Sequence, residues 1–521
     1  MVVASFYPAE EDSESAMVPV SKRERLRSFV LSVAPLVEGY YVFTSNGVNH
    51  RQLLPDCLPN VHIANAGVLF ENNFRRAIDI WHDFGYGNCR TFDQVRHLTR
   101  QNFHITGDFR IERFAHYSDT GDADWSAYDG VIYPTDYARE AHRRSAVVLP
   151  PVMSEVIPPS MDFDLVAPVT KADARRLLGF FQNEILFLCV SDFSARYGTD
   201  LLPIVTAFES AASGRQDLRL VIGGQDLSGI SPKLKDGLLN KAILSQITVL
   251  ANPHEQIFPL LFAAADVFIH LPDSPNKDSS TMLLYAMAHG LAIIGARWPA
   301  CESMVDHLQS GLLLPMYSNS GIFEYLGETL HRESNEACSL IVSQGILFDV
   351  QTLAKHMRTL ADGRHRQTLG AAASDKVRNH YQAPNAARAY VEFWNALKKR
   401  PIKGNRTSEL KGTNGYERKT LHFSYPFAEL NGDRCLCVTK LGDAALSGKS
   451  VPIFDETSEL IFNPLILEIM KRFKNGARMG DVLDALVPTN GEASQRALHS
   501  GILYHTLFAL KRGLLSQNCP K

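Results

Sequence analysis

No apolar run in this 521-residue chain approaches the roughly 18 residues that a membrane-crossing helix needs, so a membrane span is not expected. The opening, MVVASFYPAEEDSESAM, has neither the basic start nor the apolar core of a secretory signal. An excess of one charge is also missing. Lys and Arg number 53 and Asp and Glu 56, for a net charge of −3. Such a balance gives no electrostatic reason to expect nucleic acid or a membrane surface as partner. Cysteine is sparse, with eight residues at 57, 89, 189, 301, 338, 435, 437 and 519. The closest pair, Cys435 and Cys437, has the wrong spacing for a zinc knuckle and alternates as strand residues do. Reduced thiols in a cytoplasmic protein are therefore expected, without a disulfide framework. The first loop, 8–21, lacks glycine altogether, which argues against a Gly-rich phosphate cradle there.

What is present is ordinary globular protein. Hydrophobic residues make up 45% and charged residues 21%, and the length suits about three domains at the usual ~150 residues each. The most informative stretch is 266–315. Asp266 to His270 reads as a buried strand, Asp273 to Asp278 as a polar loop, and Thr281 to His289 as a helix closed by Gly290. Leu291 to Ala296 is a second strand, followed by a loop around Glu302. This is a βαβ unit, whose ligands sit at the loops leaving the strand ends. The loop at Asn276–Thr281 opens a helix, so its N–H groups suit an anion such as a diphosphate.

The rest of the chain repeats this alternation. Strands are predicted at Val2–Tyr7, Tyr40–Thr44, Asn102–Thr106, Gly130–Tyr133, Val147–Leu149 and Glu155–Ile157. Helices are predicted at Lys22–Val37, Glu71–Phe84, Phe109–Tyr117 and from Thr135, as N-cap, to Arg144. Beyond the Pro-Pro at 158–159 come helix Lys171–Leu178, strand Ile185–Val190, loop Ser191–Gly198 and helix Thr199–Ala212. Strand Leu218–Ile222, the turn Gly223-Gly224-Gln225-Asp226, helix Ser231–Leu244, strand Ile247–Leu250 and helix Pro259–Ala265 follow. Strands apolar on both faces, alternating with helices, mean doubly wound parallel sheets, here two in tandem. Val350–Ala361, Arg364–Val377 and Ala386–Lys399 are helical, and the last is placed to cross back onto the first domain. The expected division is 1–160, 161–400, a linker at 401–418 and a small α+β module at 419–521.

The order of segments resembles the two-Rossmann-domain (GT-B) glycosyltransferases, and is similar to glycosyltransferase family 4. YDGVIYPTDYAREAHRR, VIPPSMDFD, KADARRLLGFFQNEILFLCVSDFSARYGTDLLPIVTAF and LPDSPNKDSSTMLLYAMAHGLAIIGARWPACESMVDHLQSGLLLP carry the resemblance, with FDVQTLAKHMRTLADGRHRQTLGAAASDKVRNHY closing it. It implies a nucleotide-sugar donor, such as a UDP- or GDP-sugar, on the second domain and an acceptor on the first. It also implies retention of anomeric configuration and no metal or other cofactor.

The family's residues do not all carry over. Its diphosphate-binding Arg and Lys fall on Asp192 and Tyr197, and Asp192 would repel a diphosphate. Arg196 is a substitute of long reach. The family's paired glutamates fall on Lys277 and Tyr285, neither an equal of a bidentate carboxylate. Lys277 reads either as a solvated lysine or as a diphosphate contact, and Tyr285 as packing or as a ribose partner. Glu302 matches the carboxylate after the next strand. Gly198, Gly224, Ser279, Ser280 and Thr281 complete the implied donor set. In the acceptor domain, His104 and Asp108 flank a strand end where the family carries a catalytic or sugar-binding group. Two readings stand at this point: an active, divergent glycosyltransferase, or a catalytically silent fold that binds or scaffolds a partner.

In the tail, Thr420–Leu430 and Cys435–Lys440 alternate as strands about an Asn431-Gly432-Asp433 turn, with Val451–Phe454 as a third. Phe462–Phe473, Met479–Leu486 and Gln495–Arg512 are predicted helices. FNPLILEIMKRFKNGARMGDVLDALV is similar to the peptide-binding winged-helix domains of peptide-modification pathways. That resemblance implies a peptide or protein partner for 419–521. DNA is disfavoured, because the segment's basic residues are balanced by acids.

Overall fold

The structure is a computed structural model. It describes residues 1–7, 22–44, 58–70, 77–84, 95, 102–108, 128–145, 153–163, 169–193, 199–226, 229, 231–232, 234, 238–273, 280–332, 335–402, 428–453, 457–487 and 492–519. Contacts divide the chain into two units. One holds 1–166, 278–285 and 376–418, and the other holds 167–277, 286–375 and 419–521.

The first unit is built on β1 (Val2–Tyr7), β2 (Gly39–Thr44), β3 (Val61–Asn65), β4 (Ile80–Asp83), β5 (His104–Asp108), β6 (Gly130–Tyr133) and β7 (Met153–Val156), in the order β3-β2-β1-β4-β5-β6-β7. All neighbours are parallel. The strands are apolar on both faces because both are covered. Val3, Val42, Ile80 and Ile132 enter one core, and Ala4, Phe43, Trp81 and Val131 the other. This corrects the helix predicted over Glu71–Phe84. Residues 71–76 lie outside the described set, but Ile80 and Trp81 point to opposite cores, the period of a strand. A short run apolar on both sides carries no such period in its composition, so helix and buried strand read alike. The helix Lys22–Val33 is also shorter than predicted. Pro35 converts its end to a 3-10 turn at Ala34–Leu36, and Leu36 is left 43% exposed. The segments 109–117 and 147–149 lie outside the described residues.

The late helix Ala383–Lys398 packs in this first unit. Ala387, Tyr390, Phe393, Trp394 and Leu397 share a core with Leu26, Val30 and Val33 of the Lys22–Val33 helix. Lys398 Nζ reaches Asp79 Oδ1 at 3.0 Å, and Asp79 Oδ2 accepts the Val2 N–H at 2.7 Å.

The second unit carries β8 (Ile185–Val190), β9 (Leu218–Gly224), β10 (Ile247–Ala251), β11 (Val267–His270), β12 (Ala292–Ala296) and β13 (Gly311–Leu314), all parallel and in the order β10-β9-β8-β11-β12-β13. The helix Leu201–Ala211 starts at Asp200, whose Oδ1 accepts the Leu202 N–H at 3.2 Å. It packs against helix Val350–Leu360, capped in turn by Asp349. Of the predicted helix Ser231–Leu244, residues 233 and 235–237 lie outside the described residues, and its end is the 3-10 segment Lys241–Gln246.

One close approach in this unit rests on glycine. Gly290 ends the Ser280–Ala288 helix at φ +70°, and Gly370 of helix Gly363–His380 passes against its carbonyl oxygen. A Cβ on Gly370 would fall inside van der Waals contact with that backbone atom, which cannot rotate away. Gly370→Ala is therefore expected to cost about 2–3 kcal/mol by urea unfolding. A loss below about 0.5 kcal/mol, the scale of a surface change, would show that the helices part freely.

Two histidines make this unit sensitive to acid. Burial pushes His289 down to about 4. Burial, aided by His307 and Lys355, does the same to His356, also to about 4. Both folded values lie below the unfolded value of about 6.5, so the unfolded chain binds protons first as pH falls. Their contribution is complete above about pH 6.5 and is lost towards pH 4, on the order of 1–2 kcal/mol each once solvent screening of these partly exposed rings is allowed for. Urea midpoints measured from about pH 7 to about pH 4.5 should fall more steeply for the native chain than for H289Q/H356Q. Equal slopes would refute this.

The C-terminal segment shares the second unit. Helices Lys440–Leu446, Asn463–Arg472, Met479–Leu486 and Glu492–Lys511 surround an antiparallel sheet of β16 (Cys435–Val438), β17 (Ala477–Arg478) and β18 (Leu515–Ser516), in the order β17-β16-β18. Residues 420–427 of the predicted hairpin lie outside the described residues, and among the described ones Ala428–Glu429 does not pair with β16. The Asn431-Gly432-Asp433 turn is present, with the Arg434 N–H bonded to the Asn431 carbonyl at 3.2 Å. However, β15 (Ala428–Glu429) pairs with β14 (Tyr317–Ser318) of the larger domain, not with β16. Residues 451–453 are not strand, and Lys440–Leu446 is helix. The long helix Glu492–Lys511 packs on helix Ile322–Arg332. Ser500 Oγ accepts the Tyr325 N–H at 2.8 Å, and Tyr504 donates to the Ile341 carbonyl at 2.7 Å. Gly513, at φ +70°, stops that helix and turns the chain into β18.

Candidate functional site

In a doubly wound sheet, ligands bind outside the carboxyl ends of the strands, where the strand order reverses. In the second unit the reversal lies between β8 and β11. The segments leaving these strands, 191–200 and 271–277, are among those in which the sequence places the donor. Ser191 and Phe193 are tied to the next strand's turn, their N–H groups bonded to the Gly223 and Gln225 carbonyls at 3.1 and 2.8 Å. Asp200 and Asp273 mark the far end of the first segment and the near end of the second. Both are buried, and the Asp200 N–H donates to the Asp273 carboxylate. Burial drives the Asp273 carboxyl upward, against the pull of Lys511. Trp298 secures the same corner by donating its indole N–H to the Pro272 carbonyl at 2.8 Å.

The predicted donor residues distribute as follows. Arg196, Tyr197, Gly198, Lys277 and Ser279 lie outside the described residues. Ser280 opens the helix Ser280–Ala288, and Thr281 follows it, half-buried. Tyr285 is 2% exposed, the burial of a packing residue. Gly224 ends β9, and its carbonyl accepts the Asn252 N–H at 2.7 Å. Glu302 stands in the first turn of helix Pro299–Met304 after β12, 3.4 Å from Arg297 Nε. Partial burial raises its carboxyl above the ordinary range, with Arg297 opposing.

In the first unit, His104 and Asp108 occupy opposite ends of β5. His104 sits at the amino end, 3.7 Å from Asp129 Oδ2. Asp108 is at the carboxyl end, where a ligand would approach. Tyr390 donates to its Oδ1 at 2.8 Å, and His82 Nε2 lies 3.6 Å from the same oxygen. His82 is fully buried at the end of β4, with its Nδ1 3.1 Å from Thr106 Oγ1, which also accepts the Trp394 indole N–H at 3.2 Å. If the Thr106 hydroxyl gives its proton to Nδ1, the imidazole proton sits on Nε2, facing Asp108. Phe29 stacks on this ring at 5.6 Å. Sequence reasoning missed His82 and Tyr390. The only signal was the polar pair His82-Asp83 closing an apolar run, and nothing local ties Tyr390 to it.

Among the described residues there is no helix long and apolar enough to cross a membrane, and no group of three or more His, Cys, Asp or Glu side chains suited to a metal ion.

Two parallel sheets, each reversing order at its middle, give this chain the GT-B glycosyltransferase fold. Similar solved structures include HepE of Anabaena in complex with UDP and glucose, at TM-score 0.54 and 15% identity over 76% of this chain and all (100%) of that one. A glycosyltransferase of Rickettsia africae matches at TM-score 0.52 and 14% identity, over 77% of this chain and 99% of that one. Among curated proteins, D-inositol 3-phosphate glycosyltransferase of Mycobacteroides abscessus is 25% identical over 224 residues, 42% of this chain. The match spans about half of that relative, 49% of its length. No family model matches the chain. The winged-helix resemblance of the C-terminal segment has no counterpart among these similarities.

Proposed function

We propose that the chain transfers a sugar from a nucleotide-sugar donor, with the donor on the second unit and no cofactor besides it. The observation that carries this reading is the reversal between β8 and β11, flanked by the segments that match the family's donor loops. The Anabaena neighbour with UDP and glucose supports it, as does the curated relative's activity. Asp108, oriented by Tyr390 with His82 behind it, is the group proposed to receive an acceptor hydroxyl. The acceptor is proposed to be a peptide or protein, with 419–521 as a contact surface. Calorimetric titration of the full chain with UDP, GDP and their sugars tests the donor. One nucleotide is expected to bind at micromolar concentrations, and no binding at millimolar ligand would end the reading.

A further inference from the structure

The chain's last long helix ends by sending two cations into the interior of the second unit. Lys511 and Arg512 are 1% and 2% exposed, and they meet Asp200 at 1% and Asp273 at 2%. Lys511 Nζ donates to Asp273 Oδ1 at 2.9 Å and to the Ser343 carbonyl at 2.6 Å, and lies 3.9 Å from Asp200 Oδ2. The Arg512 guanidinium pairs with Asp200 Oδ2. It also donates to Gln344 Oε1 at 2.9 Å and to the Pro452 carbonyl at 3.1 Å. Its flat face lies 4.8 Å from the centre of the Phe508 ring. Two positive and two negative charges balance, and every partner belongs to one unit.

Stability alone is a weak reason for such a network, since well-packed apolar residues often serve as well. A buried network does fix distances and directions, because a guanidinium fork and a lysine with two acceptors tolerate little displacement. What it fixes here is the relation between two loop anchors. Asp200 closes the segment after β8, and Asp273 opens the segment after β11. The two acids are joined to each other by the Asp200 N–H and to the C-terminal helix by the cations. We infer that Lys511 and Arg512 are positioning residues for the donor, fixing Asp200 and Asp273, the anchors of the two segments at the switch point, relative to each other. The segment 419–521 is then a working part of the donor domain and not only a docking module. This rests on the proposed function for its ligand, but the loop-setting step has its own readout.

The test uses the full chain, with Lys511→Met and with the charge-neutral pair Lys511→Met/Asp273→Asn. Hydrogen exchange is followed in peptides covering 191–205 and 267–277, and calorimetry measures UDP and GDP affinity. Exchange should rise about tenfold in both peptides of Lys511→Met, with peptides of the first unit unchanged. Affinity for the bound nucleotide should fall about tenfold. In the double variant the thermal midpoint should recover while affinity stays low, a split that a merely structural role would not produce. Unchanged exchange in both loops would overturn the inference, as would native affinity in a variant with lowered midpoint. Should the native chain bind neither nucleotide, the proposed function fails by that result, and the exchange arm alone decides whether the cations set the loops.

Discussion

Replacing Asp200 by alanine is expected to destabilise the protein by about 3–5 kcal/mol, because it strands buried cations. Arg512 would keep Gln344 and the Pro452 carbonyl but lose its carboxylate, and Lys511 would lose its second acid. The same change removes the N-cap of helix Leu201–Ala211, a loss of about 1 kcal/mol on its own. These two costs fall on one side chain and will not simply add. Asp200→Asn separates them, since an asparagine still caps the helix but carries no charge to pair. Urea unfolding should place Asp200→Asn between the native chain and Asp200→Ala. If Asp200→Ala loses less than about 1.5 kcal/mol, the cations have another way to be satisfied, and the network is less closed than its geometry implies.

Trp394→Ala is expected to cost about 3–5 kcal/mol as well, by the ordinary mechanism of a large core cavity. The side chain is fully buried and shares a core with Val3, Val30, Tyr40 and Ile80. Its indole N–H also holds Thr106, whose hydroxyl lies against His82. The loss should therefore reach past stability. Limited proteolysis should cut more readily near helix Ala383–Lys398 in the variant, because Trp394 anchors that helix. Trp394→Phe keeps most of the volume and loses the hydrogen bond, so about 1–2 kcal/mol is expected. A native-like proteolysis pattern for Trp394→Ala would show that Ala387, Phe393 and Leu397 hold the helix without it.

Much of the fold was legible because two covered sheet faces demand strands that are apolar throughout. Ile185–Val190, Leu218–Ile222, Ile247–Leu250 and Leu291–Ala296 could scarcely be anything else in a chain alternating with amphipathic helices. The same property hid β4. Its Ile80 and Trp81 serve opposite cores, a distinction that composition does not carry. At the tail, the Asn431-Gly432-Asp433 turn was legible from its residues, but not the partners of the strands beside it. Met479 and Gly480 donate to the Arg434 and Gly432 carbonyls, each at 2.8 Å, and this places β17 where a hairpin partner was expected. Strand pairing is a contest among distant segments, and a turn settles it only when nothing better competes.

The candidate site divides the same way. The sequence by itself determined the βαβ order and the segments at the β8 and β11 strand ends. These follow from residue type and local spacing. Tertiary structure alone decided that Tyr390 orients Asp108 across 282 positions of chain, and that Arg512 meets Asp200 across 312. A buried charge must find its partner somewhere, but nothing local says where. Only the folded core, by excluding water from Arg512 and Asp200, makes that pair necessary.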